Sequence, residues 1–224
     1  MKLVIVLLFV ALIVAAIVWW RALLRQRADH IDRYPYAKFL DKRLAAHRPE
    51  LSAAQRTLVF EGLREYFQLC REGGNRLVAM PSQAVDDAWH EFILFTRQYQ
   101  QFCERGLGRF LHHTPAEAMR APTDAQDGIK RAWRLACKRE GIDPQKPASL
   151  PRLFALDALL GIAGGFVYQL DCLAAAQAGA GTGFCAGHIG CGGGCSGSSG
   201  CSSGDSGGSS GDGCGGGGCG GGGD

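Results

Sequence analysis

Apolar and polar positions divide the chain into three unlike stretches. From Leu3 to Trp20 every residue is apolar. Eighteen residues at 1.5 Å rise make about 27 Å, close to the hydrocarbon thickness of a bilayer. Trp19 and Trp20 then fall where an interfacial aromatic belt belongs. The run predicts one transmembrane helix, with residues 1–28 as anchor and basic flank. A cleaved leader has a shorter apolar region followed by small residues. Here two Trp and "RALLRQR" follow, so the segment is expected to be retained.

In the second stretch, residues 29–175, the period changes to that of amphipathic helices. Pro35 suits a first helical position, and Tyr36, Leu40 and Leu44 follow at spacing four. "SAAQ", Ser52 to Gln55, is a capping box leading into Val59, Leu63, Phe67 and Cys70, with Gly73, Gly74 and Asn75 as the stop. A third helix starts near Pro81 or Ser82. Its stripe is Val85, Trp89, Phe92, Thr96, Tyr99 and Cys103, which predicts one central helix ending at Gly106 and Gly108. "TDAQ", Thr123 to Gln126, opens a fourth helix with Ile129, Trp133 and Ala136 inward and Gly141 as its cap. A short fifth runs from Pro151 to Gly161. No stretch alternates with period two. The expectation is an all-α domain, a compact bundle of about five helices. Leu153 to Leu173 is apolar, but Asp157, Asp171 and Gly164-Gly165 argue against a second span.

The third stretch, 176–224, is dominated by Gly, Ser and Cys. It lacks the apolar content to bury a core, which predicts a disordered tail.

Charge adds orientation. No Lys or Arg follows Arg152, while five of the 21 acidic residues do. Residues 1–152 therefore carry 24 basic and 16 acidic side chains, a net of +8. No basic-aromatic interleaving marks a nucleic-acid site, and no nucleic acid is expected as a partner. Arg21, Arg25 and Arg27 follow the apolar run, and only Lys2 and the amino terminus precede it. The positive-inside rule then puts the bulk of the chain in the cytoplasm, on the inner (plasma) membrane. The expected partners are the lipid bilayer, through residues 3–20, and a protein.

Candidate chemistry concentrates in "VDDAWHEFILF". Asp86 and His90 are four apart and share a helix face, so the carboxylate can orient the imidazole. The competing reading is a polar clasp: Asp86 and Asp87 favoured by the helix dipole, Trp89 in the core, and His90 a buried polar group. On one continuous helix Cys103 lies about 20 Å beyond His90 and about 140° around from it. His112 and His113 lie after the helix. The chain from Gly106 to His112 spans about 20 Å at most, so they are expected to meet Tyr99 or Cys103 rather than His90. In the tail, Cys185, His188, Cys191 and Cys195 are a candidate zinc set, though their spacing is not that of a zinc finger.

"MPSQAVDDAWHEFILFTRQYQQFC", Met80 to Cys103, resembles the signature of the glycine-rich domain-containing protein-like family. Pro81, Val85-Asp86, Trp89-His90, Tyr99 and Cys103 carry the likeness, which extends over about Tyr34 to Cys172. The short anchored arrangement is similar to bacterial members. Longer plant forms carry a second His two residues after the first, where this chain has Phe92. The resemblance implies the fold and a Gly-rich C-terminus, and no activity. The motif residues are then Asp86, Trp89, His90, Tyr99, Cys103, His112 and His113, with no catalytic residue assigned. The functional expectation is a non-enzymatic interaction or scaffold module. The alternative is a metal-binding or thiol-redox protein using the tail cluster or the Asp86/His90 neighbourhood; the sequence implies no definite cofactor, and zinc is the candidate for this alternative.

Overall fold

A computed structural model of the chain describes residues 2–113, 122–170, 184, 185 and 189. Among these residues the fold is all-α, with seven helices, one π-helical turn and one pair of two-residue strands. Helix α1 (Lys2–Asp32) is a continuous rod. Its side chains from Leu3 to Trp20 are all exposed. It alone among the described residues is long and apolar enough to cross a membrane, a property that signal sequences share. The end of α1 belongs to the domain core. Ile31 is fully buried, and Gln68 Nε2 donates to the Ala28 carbonyl at 3.0 Å and to Asp32 Oδ1 at 2.8 Å. The helix thus runs unbroken through the boundary expected at residue 28.

Helix α2 (Tyr36–His47) buries Tyr36, Leu40 and Leu44, as the spacing predicts. Helix α3 (Ala53–Gly73) opens with the expected capping box: Ser52 Oγ accepts from the Gln55 N–H at 3.3 Å, and Gln55 Oε1 from the Ser52 N–H at 2.9 Å. Beyond it come α4 (Gln83–Ile93), α5 (Thr96–Phe102), the π-turn Cys103–Leu107, α6 (Pro122–Glu140) and α7 (Arg152–Leu160). Strands β1 (Tyr168–Gln169) and β2 (Phe184–Cys185) pair in parallel.

The central element is α3 rather than the helix of the Trp89 motif. It packs against α4, α2, α7, α6 and the end of α1. Gly62 permits close approach of α4 and α7 to α3. A Cβ there would lie 2.8 Å from Val85 Cγ2 of α4 and 3.0 Å from Leu156 Cδ2 of α7. Around α3 and α4 the core is aromatic, with Tyr36, Phe67, Phe92 and Phe102 buried at ring-centroid separations of 4.7–6.2 Å. Each such pair contributes about 0.5–1.5 kcal/mol beyond its buried area.

Three local expectations need correction. The stripe from Val85 to Cys103 is not one helix: it breaks at Leu94–Phe95, where the Phe95 N–H turns back to the Phe92 carbonyl at 3.0 Å. Thr96, counted inward on an unbroken helix, is exposed. Helix α6 begins at Pro122, one residue ahead of the expected cap at Thr123. The tail from 176 lies outside the described residues except at 184, 185 and 189. There, Ile189 packs against the core and Phe184 lines the cleft described below.

Candidate functional site

The start of α4 is held by a carboxylate from another helix. Asp157 of α7 is buried, and its oxygens accept from Ser82 Oγ and the Gln83 N–H, both at 2.6 Å, and from the Ala84 N–H at 3.2 Å. It also accepts from the Phe166 N–H at 2.9 Å. Unpaired N–H groups at a helix start are natural partners for negative charge. Asp157, which argued against a second span, is therefore an inter-helix cap. Ser82 Oγ in turn accepts from the Val85 N–H at 3.3 Å.

With the first turn fixed, Asp86 and Asp87 point to different surroundings, since successive helical residues are about 100° apart. Asp87 is buried and paired with Arg48, whose Nη2 stands 2.6 Å from Oδ2. Asp86 is half-buried and faces imidazoles. Trp89 points inward and is 4 % exposed. His90 is exposed rather than buried, its side chain 49 % accessible, with Nδ1 3.6 Å from Asp86 Oδ2.

The break after α4 redirects the chain. The π-turn ends at Gly108 (φ 72), where a Cβ would run into the Arg27 guanidinium. The following loop is tied down by a relay: Trp89 Nε1 donates to Tyr99 Oη at 3.0 Å, and Tyr99 Oη donates to the Leu111 carbonyl at 2.5 Å. The tie brings His113 back over α4. Its Nε2 lies 3.1 Å from Asp86 Oδ1, and its ring centroid lies 4.3 Å from that of His90 and 4.6 Å from that of Trp89.

The expectation that His113 would meet Tyr99 or Cys103 and not His90 is thus corrected. The reach estimate assumed a straight helix to Cys103, and the break removes that distance. Asp86, His90 and His113 present one donor atom each, all within 4.8 Å of one another. The second imidazole of the cluster comes from the loop, at His113. His112 is exposed and meets the Phe110 ring edge-on, outside this cluster. Cys103 is buried in the core, close to Tyr99 and to the backbone at Leu111.

Cys70, Cys103 and Cys137 are free and buried. Burial pushes the Cys70 thiol up to about 12 and that of Cys137 to about 11, and raises Cys103 as well. Such thiols are poor nucleophiles and poor metal ligands near neutral pH. His188, Cys191, Cys195 and the side chain of Cys185 lie outside the described residues.

Beside the cluster opens a cleft of about 820 Å³. Asp86 and His113 form part of its polar edge; Tyr66, Trp89, Phe110, Phe166, Tyr168 and Phe184 form much of its aromatic lining. These residues come from five separate stretches of chain, so no local pattern announces them. The nearest signal in the sequence is the apolar pair Phe110-Leu111 ahead of "HHTP".

No curated protein and no solved structure matches the chain. Residues 26–189, from the last turns of α1 to Ile189 on the core, match the UCP032817-like family. That span takes in the helical domain, the Asp86–His90–His113 cluster and the cleft, and the chain belongs to the UCP032817-like family.

Proposed function

We propose that the chain is a non-enzymatic, membrane-anchored interaction module whose cleft holds a short, extended, apolar segment of a partner protein. One observation carries the reading. Of the seven large apolar side chains exposed outside α1 among the described residues, three, Leu77, Phe110 and Phe184, gather around a single cleft. Exposed apolar side chains gathered around a concavity mark an interaction site, whereas singly scattered ones do not.

The extended form of the occupant follows from β1 and β2. The Phe184 N–H donates to the Val167 carbonyl at 2.7 Å, and the Phe184 ring stands 5.9 Å from Phe166 and 5.6 Å from Tyr168. This wall already pairs with a two-residue strand of its own chain, Phe184–Cys185, and strand addition is a general mode of peptide capture.

The reading includes retention of residues 3–20 as a bilayer span, with the domain on the cytoplasmic face of the inner membrane. The flanking Arg21, Arg25 and Arg27 support that orientation. The unbroken helix from Trp20 into the core supports an anchor over a leader, because no extended small-residue segment follows the apolar run.

Binding of short apolar peptides to the full-length chain in lipid nanodiscs tests the reading. Phe110→Asp and Leu77→Asp should each weaken binding at least about tenfold, roughly 1.4 kcal/mol. Leu159→Asp, at a residue 67 % exposed and outside the cleft, should leave it unchanged. Peptide affinity indifferent to both cleft charges, or absent in the unmodified chain, removes the proposal.

A further inference from the structure

We propose that Asp86, His90 and His113 form a binding site for a divalent transition-metal ion of the zinc or ferrous class. The inference goes beyond the peptide reading and does not depend on what fills the cleft.

The donor set is two imidazoles and one carboxylate. Nitrogen and oxygen ligands of this kind suit borderline divalent ions, and three protein donors with open positions are the pattern of non-structural zinc and non-haem iron sites. At metal–ligand distances of about 2.0–2.2 Å, neighbouring donors stand about 3.0–3.5 Å apart. Asp86 Oδ1 and His113 Nε2 are 3.1 Å apart, and Asp86 Oδ2 and His90 Nδ1 3.6 Å. The third separation, between the imidazoles, is within 4.8 Å. A modest swing of the His90 side chain closes it, and that side chain is the exposed member of the set.

The other two donors are held in place. Asp86 sits in a helical turn capped by Asp157, and the Trp89–Tyr99–Leu111 relay fixes the loop carrying His113. Charge also favours a cation. One carboxylate with two neutral imidazoles carries a net −1, and the neighbouring carboxylate Asp87 is already neutralised by Arg48. A second His–acid group nearby, His47 with Asp87 and Glu91, lacks this property, because Arg48 and Arg43 occupy its carboxylates. Asp86 and His113 also line the cleft, so an ion bound by them would lie at its edge. Water, or a donor atom on the cleft's occupant, would complete the sphere.

The tail cysteines could also take metal, so the experiment separates the two sources. The full-length chain is purified metal-free, alongside a full-length variant with all six cysteines after residue 180 changed to Ser. Each is titrated with Co²⁺, read by visible absorption, and with Zn²⁺, read by calorimetry. One equivalent should bind to both, without a thiolate-to-cobalt charge-transfer band in the Ser variant. In that background His90→Ala and His113→Ala should each weaken Zn²⁺ at least about tenfold, and Asp86→Asn/His113→Ala should abolish binding. At the same Zn²⁺ concentration the melting temperature of the Ser variant should rise more than that of its His90→Ala derivative, a substitution at an exposed position that spares the fold. Stoichiometric binding that survives His90→Ala and His113→Ala overturns the proposal. So does metal uptake confined to the chain with its cysteines intact, or no uptake at all.

Discussion

Trp89 serves two structures at once. Its ring packs against Tyr66 and Phe67 in the core, and its indole N–H starts the relay that returns the 109–113 loop to α4. Trp89→Ala should therefore lower stability by about 3–5 kcal/mol in urea unfolding, the range for truncating a buried aromatic. A midpoint shift near zero would mean that the indole is not a core group. The inward direction of Trp89 was legible in the sequence, because 4,3-spaced apolar residues on a helix face the core. The pairing of Asp86 with His113 was not. It depends on the break at Leu94–Phe95 and on a phenol reaching the Leu111 carbonyl, neither of which leaves a local pattern. The exposure of His90 escaped for a related reason: a polar residue flanked by apolar ones is ambiguous until the neighbouring elements are in place.

At the scale of elements, starts and stops were legible and the break was not. Caps are local chemistry: Ser52 with Gln55, and Gly141 and Gly161 at positive φ, lie where the sequence puts them. The break escaped because the apolar spacing continues through it, so α4 and the α5–π-turn unit present buried residues at every position of one long stripe except Thr96. The tie between α7 and α4 was equally hidden, since Asp157 and Ser82 are 75 residues apart. Asp157→Ala should cost about 3 kcal/mol or more, because it strands buried donors at the start of α4. Unfolding by denaturant with circular dichroism measures this. A loss below about 0.5 kcal/mol would show that α4 is held by its packing alone. Since the same carboxylate fixes the turn bearing Asp86, the substitution should also weaken Zn²⁺ binding before the domain unfolds.

For the molecule as a whole, stability should depend on pH through the seam where α3, α6 and α7 meet. Burial, and next the Glu140 carboxylate that shares a hydrogen bond with it, push the Glu65 carboxyl from 4.5 up to about 7. The folded chain therefore holds a proton there that the unfolded chain has released. This contribution is full below about 4.5 and declines as pH rises through about 7, by up to about 3 kcal/mol in total. Chemical unfolding at pH 5 and pH 8 should show that decline, and Glu65→Gln should flatten it. An unchanged slope in the Gln variant assigns the dependence to other groups. Architecture at this scale was the most readable feature of the sequence, because an apolar run, helical periods and a Gly-rich end are differences of composition.

The unbroken α1 has a mechanical consequence. From Trp20 to Ile31 is eleven residues, about 16 Å of helix with no joint. With the apolar half in a bilayer, as proposed, the domain cannot wander on a tether. Any lean of the span becomes the same lean of the domain, and any spin about the helix axis sweeps the cleft through the same angle. A partner would meet the cleft at one height above the headgroups and over a narrow range of headings.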